Sequence, residues 1–275
     1  LVAKGEMSQS FKGSKYAIIW YDEGTTWKQA SPDANRNIRA ARKAFREFAG
    51  PKAKIESFYC DNAGELTKAA DELEWVNPTS TPQQPKTNGR AERQVMHAEH
   101  SARVSLQRSG MPIGTWDYAI QHACMASNFA VIADVSAYKS RHGKTHLKGI
   151  QVPYGAKIHF LPPKTLKERL PTFGPNAVEG VFMGWHMHPG GYWSRDYLVG
   201  CLPDFVQLKL GKIKRVHVYR VRTIDFDENK IIFPMLDVKE GANMEEAKAE
   251  MDTAEVDDPP TPPEEKAKKE NPQSK

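Results

Sequence analysis

Apolar and polar positions follow different periods in successive parts of the chain. Residues 15–22, KYAIIWYD, form a short apolar run rich in β-formers. Glu23-Gly24 breaks it and TTWKQA follows, which predicts a β-hairpin. Across 35–49 the residues Ile38, Ala41, Phe45 and Phe48 recur at spacings of three, four and three. That is one face of a helix, stopped by Gly50-Pro51. KIESFYCD then reads as a strand ending at Asp61, and Leu66, Ala69, Ala70 and Leu73 mark a short helix. The polar loop TSTPQQPKTNG leads into a long helix over 91–107, whose Ala91, Val95, Ala98 and Ala102 form an inner stripe of small residues. Gly110 and Pro112 end it, and a second, apolar helix is expected from Trp116 to about Phe129.

The texture changes further along. Residues 131–172 carry little pattern and read as a connector. Between 173 and 237, short apolar runs such as VFMGWHMH and KRVHVYRVRTIDF are separated by Gly and Pro turns, which predicts a small all-β domain. From 238 to 275 the composition is Glu, Lys, Ala and Pro, expected to be a disordered tail. The fold class is therefore α/β: a mixed sheet with helices in 1–130, then the connector, the β domain and the tail.

Charge sharpens this picture. The net charge is +5, but 238–275 holds six Lys against eleven Asp and Glu, leaving +10 on the preceding 237 residues. Such a surplus suits a polyanion-binding surface. No run of eighteen apolar residues exists, so no membrane partner is expected. Cys60, Cys124 and Cys201 are few and far apart, which argues for a reducing, intracellular setting and against a disulfide framework.

Asp61 ends a strand and Glu92 begins a helix, so two hard carboxylates sit on separate elements, as a divalent cation such as Mg²⁺ requires. The bland alternatives are a helix-capping Asp61 and a solvated Glu92 favoured by the helix dipole. Arg93, His97 and His100 share a helix face beside Arg90, giving either a phosphate-contacting stripe or an exposed polar one. Trp116, Tyr118, Phe129 and Cys60 read as core, and Trp185 and Trp193, which flank Pro189-Gly190-Gly191, read as core packing or, alternatively, as a ligand groove.

CDNAGEL followed by TSTPQQPKTNGRAERQ resembles the integrase core of copia-type retrotransposons and, more distantly, of retroviral integrases. GVFMGWHMHPGGYWSRDYLV with VHVYRVRTIDFDE is similar to the SH3-like domain that follows that core in the polyprotein. The resemblance spans about residues 15–228. It implies an RNase H-like core lacking its first strand, with Asp61 and Glu92 as catalytic ligands of Mg²⁺ or Mn²⁺ and Asn62 in support. It also implies DNA contacts from Gln84, Lys86, Asn88, Arg90, Arg93 and His97. The function implied is DNA integration: a 3′-hydroxyl of element DNA attacks a target phosphodiester. DNA and further copies of the chain are the expected partners, in the nucleus or a cytoplasmic retroelement particle.

Three departures from the family pattern stand out. Thirty residues separate Asp61 from Glu92, fewer than usual, and Ala63 stands where Gly is usual. The family's first catalytic Asp has no counterpart and is expected just before Leu1, which implies a truncated, inactive chain. Asp22 is its only internal substitute. A non-catalytic nucleic-acid-binding remnant is the alternative reading, and an RNase H-type nuclease a third that shares the fold.

Overall fold

A computed structural model describes residues 9–51, 53, 55–60, 63–76, 89–143, 147, 149–167 and 173–238. The predicted hairpin forms from β1 (Tyr16–Tyr21) and β2 (Lys28–Asp33), antiparallel in the register Tyr16↔Asp33 to Tyr21↔Lys28. Asp22 closes its turn by accepting from the Gly24 amide at 3.0 Å and the Thr25 hydroxyl at 2.6 Å. Helix α1 (Ile38–Ala49) starts where Asn37 accepts from the Ala40 amide, three residues later than the periodicity alone placed it. Its buried Ala41, Phe45 and Phe48 match the predicted face, and Trp20 of β1 stacks on Phe48 at 4.8 Å.

The segment expected as a strand ending at Asp61 is not a regular strand over its described part, 55–60. Its only β-pairing there is one parallel bridge, Ser57↔Val76, with the Phe58 amide donating to the Val76 carbonyl at 2.9 Å. A strand requires a ladder along its length, and among the described residues β1 pairs with β2 alone. Beyond it come α2 (Gly64–Asp71) and α3 (Gly89–Ser109). A 3₁₀ turn at Ile113–Thr115 then leads into α4 (Trp116–Phe129). The small-residue stripe of α3 holds at its centre, where Ala98 and Ala102 are buried. It fails at its start, where Ala91 is exposed.

The remaining described elements are α5 (Ala137–His142), β3 (Lys157–Phe160), α6 (Lys164–Lys167), β4 (Val178–His188), β5 (Tyr192–Cys201), α7 (Leu202–Lys209), β6 (Val218–Val221) and β7 (Ile224–Asp225). Their strands form one antiparallel sheet in the order β6-β5-β4-β3-β7. Strand β3 comes from the stretch that read as connector, because four residues are too short for a periodic signal. Helix α7 interrupts the β-rich region, with Phe205 and Leu208 buried.

The described residues belong to one compact unit, and α4 is its axle, lying against β2, β4, α3 and α5. One apolar cluster joins Trp20, Trp27 and Phe45 to Phe129, Phe182 and Trp185. A second joins Ala98, Ala102 and Ile120 to Val181, Met183 and Phe205. Trp116 and Phe129 are buried, as their core reading requires, and Tyr118 is half-buried. Arg141 of α5 ties the hairpin to α1 and to the β4–β5 turn, pairing with Asp22 at 3.4 Å and donating to the Phe48 carbonyl at 2.7 Å and the Gly190 carbonyl at 3.4 Å. Gly191 in that turn has φ +80° and lies against Trp27; a Cβ there would come within 2.4 Å of the indole. Among the described residues no helix is long and apolar enough to cross a membrane.

Candidate functional site

An open cleft of about 580 Å³ runs along β1, bounded by α1, the segment 58–60 and the first turns of α3. Glu92, in the first turn of α3, lines it. So do Cys60 and Ala63, the residues that flank Asp61 and Asn62 in the sequence. Asp61, Asn62, Gln84, Lys86 and Asn88 themselves lie outside the described residues. The structure thus brings Glu92 together with the chain on either side of the predicted Asp61 position. The long, polar-faced α3 does this: its alanines seat it close to α4, and its first turn is left at the cleft.

Glu92 is exposed and makes no ion pair or side-chain hydrogen bond with the described residues. Arg90 is exposed and paired with Glu23 at 2.9 Å, an ion pair that a phosphate could displace at small cost. Arg93 is exposed as well. His97 is exposed, and the nearby Lys28 ammonium, with some desolvation and His100, holds its imidazole below the usual histidine range. A phosphate brought alongside would act in the opposite sense and favour the imidazolium. Further down the helix, Arg103 is tied to Glu99 at 2.6 Å. Asp22 is taken up by its own turn and by Arg141, so it is a structural residue rather than a free ligand.

A carboxylate is the right donor for Mg²⁺, and Glu92 has oxygens to offer. Among the described residues, however, no three His, Cys, Asp or Glu side chains are grouped to hold a metal ion. Glu92 therefore fits as one ligand of a set and does not make a site by itself.

Several polar residues had no sequence signal strong enough to single them out. Asp117, only 2% exposed, accepts from the Ser10 hydroxyl at 3.0 Å and the Tyr118 amide at 2.9 Å. Burial raises its pKa despite the nearby Lys12. Asp196 on β5 faces Arg220 and Arg222; burial works to raise its pKa, but their hydrogen bonds hold it below the usual carboxylate range. His122 sits mid-α4 with its Nε2 at 2.9 Å from the Val152 carbonyl. A histidine in the middle of a helix rich in alanine and aromatic residues was the available hint.

No family model matches the sequence, and no curated protein matches it. Among solved structures, a chain of the cryo-EM structure of a simian T-cell lymphotropic virus intasome in complex with PP2A regulatory subunit B56 gamma is similar. Its TM-score is 0.40 and its identity 12%, over 82% of this chain and 81% of that one. A likeness of that size carries no argument about this chain.

Proposed function

We propose that this chain is part of a retrotransposon integrase of the copia type, a polynucleotidyl transferase that binds DNA and joins element ends to target DNA. The observation that carries the reading is the cleft beside β1, which is lined at once by Glu92 and by both chain neighbours of the Asp61-Asn62 pair. Described residues of both motifs that carry the family resemblance, Cys60 and Ala63 of CDNAGEL with Ala91 and Glu92 of TNGRAER, thus line one concavity, although they are far apart in sequence. Asp61 and Glu92 would hold Mg²⁺, which when bound stabilises charge on the oxygens around phosphorus. Arg90, Arg93 and His97, on the exposed side of the same helix, orient the phosphodiester backbone, with Gln84, Lys86 and Asn88 contributing from the preceding loop. Oligomerisation and a nuclear or particle-bound location belong to the same reading.

The test is a titration of duplex DNA against the chain at stepped salt, with and without Mg²⁺. Affinity should fall linearly on logarithmic axes with salt, and any Mg²⁺-dependent change should vanish in Glu92→Gln. Strand transfer is then assayed with duplexes standing for element ends and target DNA. Equal Mg²⁺-dependent joining by Glu92→Gln and the parent would remove Glu92 from the mechanism. Salt-dependent binding without any Mg²⁺ response, and no joining, would favour the non-catalytic remnant.

A further inference from the structure

The outer face of α1 has a different chemistry from the buried one. Arg39, Lys43 and Arg46 follow one another at spacings of four and three, so they form one stripe about 10 Å long. All three are exposed. Arg39 and Arg46 make no ion pair with the described residues, and Lys43 stands 3.9 Å from Glu47. The stripe lines an open groove of about 1420 Å³, which the β4–β5 turn also lines with the exposed His188, Pro189 and Tyr192. The Tyr192 ring is held against His142, centroids 4.2 Å apart. Helix and turn are locked together: the Gly190 amide donates to the Glu47 carbonyl at 2.7 Å, and a Cβ on Gly50 would come within 2.6 Å of Gly190. The groove adjoins the first cleft and shares Asp33, Lys43 and Glu47 with it, but Glu92, Arg90, Arg93 and His97 do not line it.

A row of cations calls for a ligand with regularly spaced negative charge. An exposed tyrosine beside that row offers a face to a base, and only an unpaired base can use it. Asp33 and Glu47 lie in the same groove, and carboxylates oppose a ligand that brings phosphate alone. They suit one whose sugars bring hydroxyl donors, because an ionised carboxylate only accepts and a ribose 2′-hydroxyl can donate. We propose that the groove between α1 and the β4–β5 turn binds single-stranded RNA, with phosphates along Arg39, Lys43 and Arg46, a base on Tyr192 and 2′-hydroxyls donating to Asp33 or Glu47. An acidic peptide would use the stripe alone and meet the two carboxylates as repulsion. The site goes beyond the DNA-joining reading and does not depend on it.

The test is fluorescence anisotropy of a labelled oligouridylate of about a dozen nucleotides against the full chain, beside the matching oligodeoxyuridylate, which lacks only the 2′-hydroxyls. The RNA should bind saturably and at least about fivefold more tightly. Arg39→Ala combined with Arg46→Ala, both at exposed positions, should lower the salt slope by about 1.4, the value of two single-strand phosphate contacts. Tyr192→Leu, which keeps an apolar side chain against His142, should weaken the RNA about fivefold or more. A 4-thiouridine probe should crosslink within 188–192. Equal affinity for the two oligomers, an unchanged salt slope in the double variant, or a polyglutamate peptide that competes as well as the RNA would each overturn the assignment. Crosslinks confined to α3 would also overturn it, by placing the RNA in the cleft assigned to DNA joining.

Discussion

Helices α3 and α4 are neighbours in sequence and in space, yet they are used in opposite ways. Of the 21 residues of α3 only Ala98, Ala102 and Ser109 are buried, whereas nine of the 14 in α4 are. Both sequences favour helix; the difference lies in what surrounds them. α3 touches α4 and β1 through a strip of small side chains, so its charged faces stay in water and can meet a partner. α4 is enclosed by elements on several sides, so even its polar residues are buried and need partners inside the protein. Asn128 shows this plainly. It accepts from the Lys28 amide at 2.8 Å and donates to the Lys28 carbonyl at 2.6 Å, acting as a stand-in for a neighbouring strand.

Breaking α4 should therefore cost stability, and changing α3 should cost function alone. The largest effect is expected for Phe129→Ala, which empties a site 1% exposed between Tyr138 and Trp185 and should cost about 3–5 kcal/mol in denaturant unfolding. Next comes His122, whose pKa burial lowers from 6.5 to about 4, against the opposing Val152 hydrogen bond. The unfolded chain takes up this proton first as pH falls. The stabilisation is thus complete above pH 6.5 and is lost as pH drops toward 4, by on the order of 3 kcal/mol. Thermal melts across that window should show the slope, and His122→Phe should flatten it.

Asn128→Ala should follow, at roughly 1–3 kcal/mol, because it strands a backbone amide and carbonyl of β2 that are partly buried. At the other end of the scale, Glu92→Gln and Arg93→Ala on α3 should each change unfolding free energy by no more than about 0.5 kcal/mol. Their effects belong to other measurements: Glu92→Gln on metal dependence, and Arg93→Ala as a drop of about one in the salt slope of DNA binding. A large loss of stability from either would erase the contrast between the helices.

Much of this division was readable beforehand. The hairpin, the face of α1, both long helices and the turn-rich strands β4 and β5 all announce themselves through periods of two or 3.6 and through Gly-Pro breaks. Glu92 was legible through its place in the first turn of α3 and its motif. The strand expected before Asp61 was the clearest miss: Ile55, Phe58, Tyr59 and Cys60 make the segment able to pair, but pairing needs a neighbour along its length. β3 and α7 were missed because short elements are decided by the sheet they join rather than by their own pattern.

The sequence by itself determined which segments are helical or extended, the surplus of positive charge ahead of residue 238, and the polar, carboxylate-bearing start of α3. Those are local or additive properties, carried by spacing and composition. Only the tertiary structure decided that Glu92 shares a cleft with the residues flanking Asp61-Asn62, and that the basic stripe of α1 and Tyr192 meet around a second groove. Such meetings join residues distant in the chain, and they depend on how closely alanines and glycines let whole elements approach.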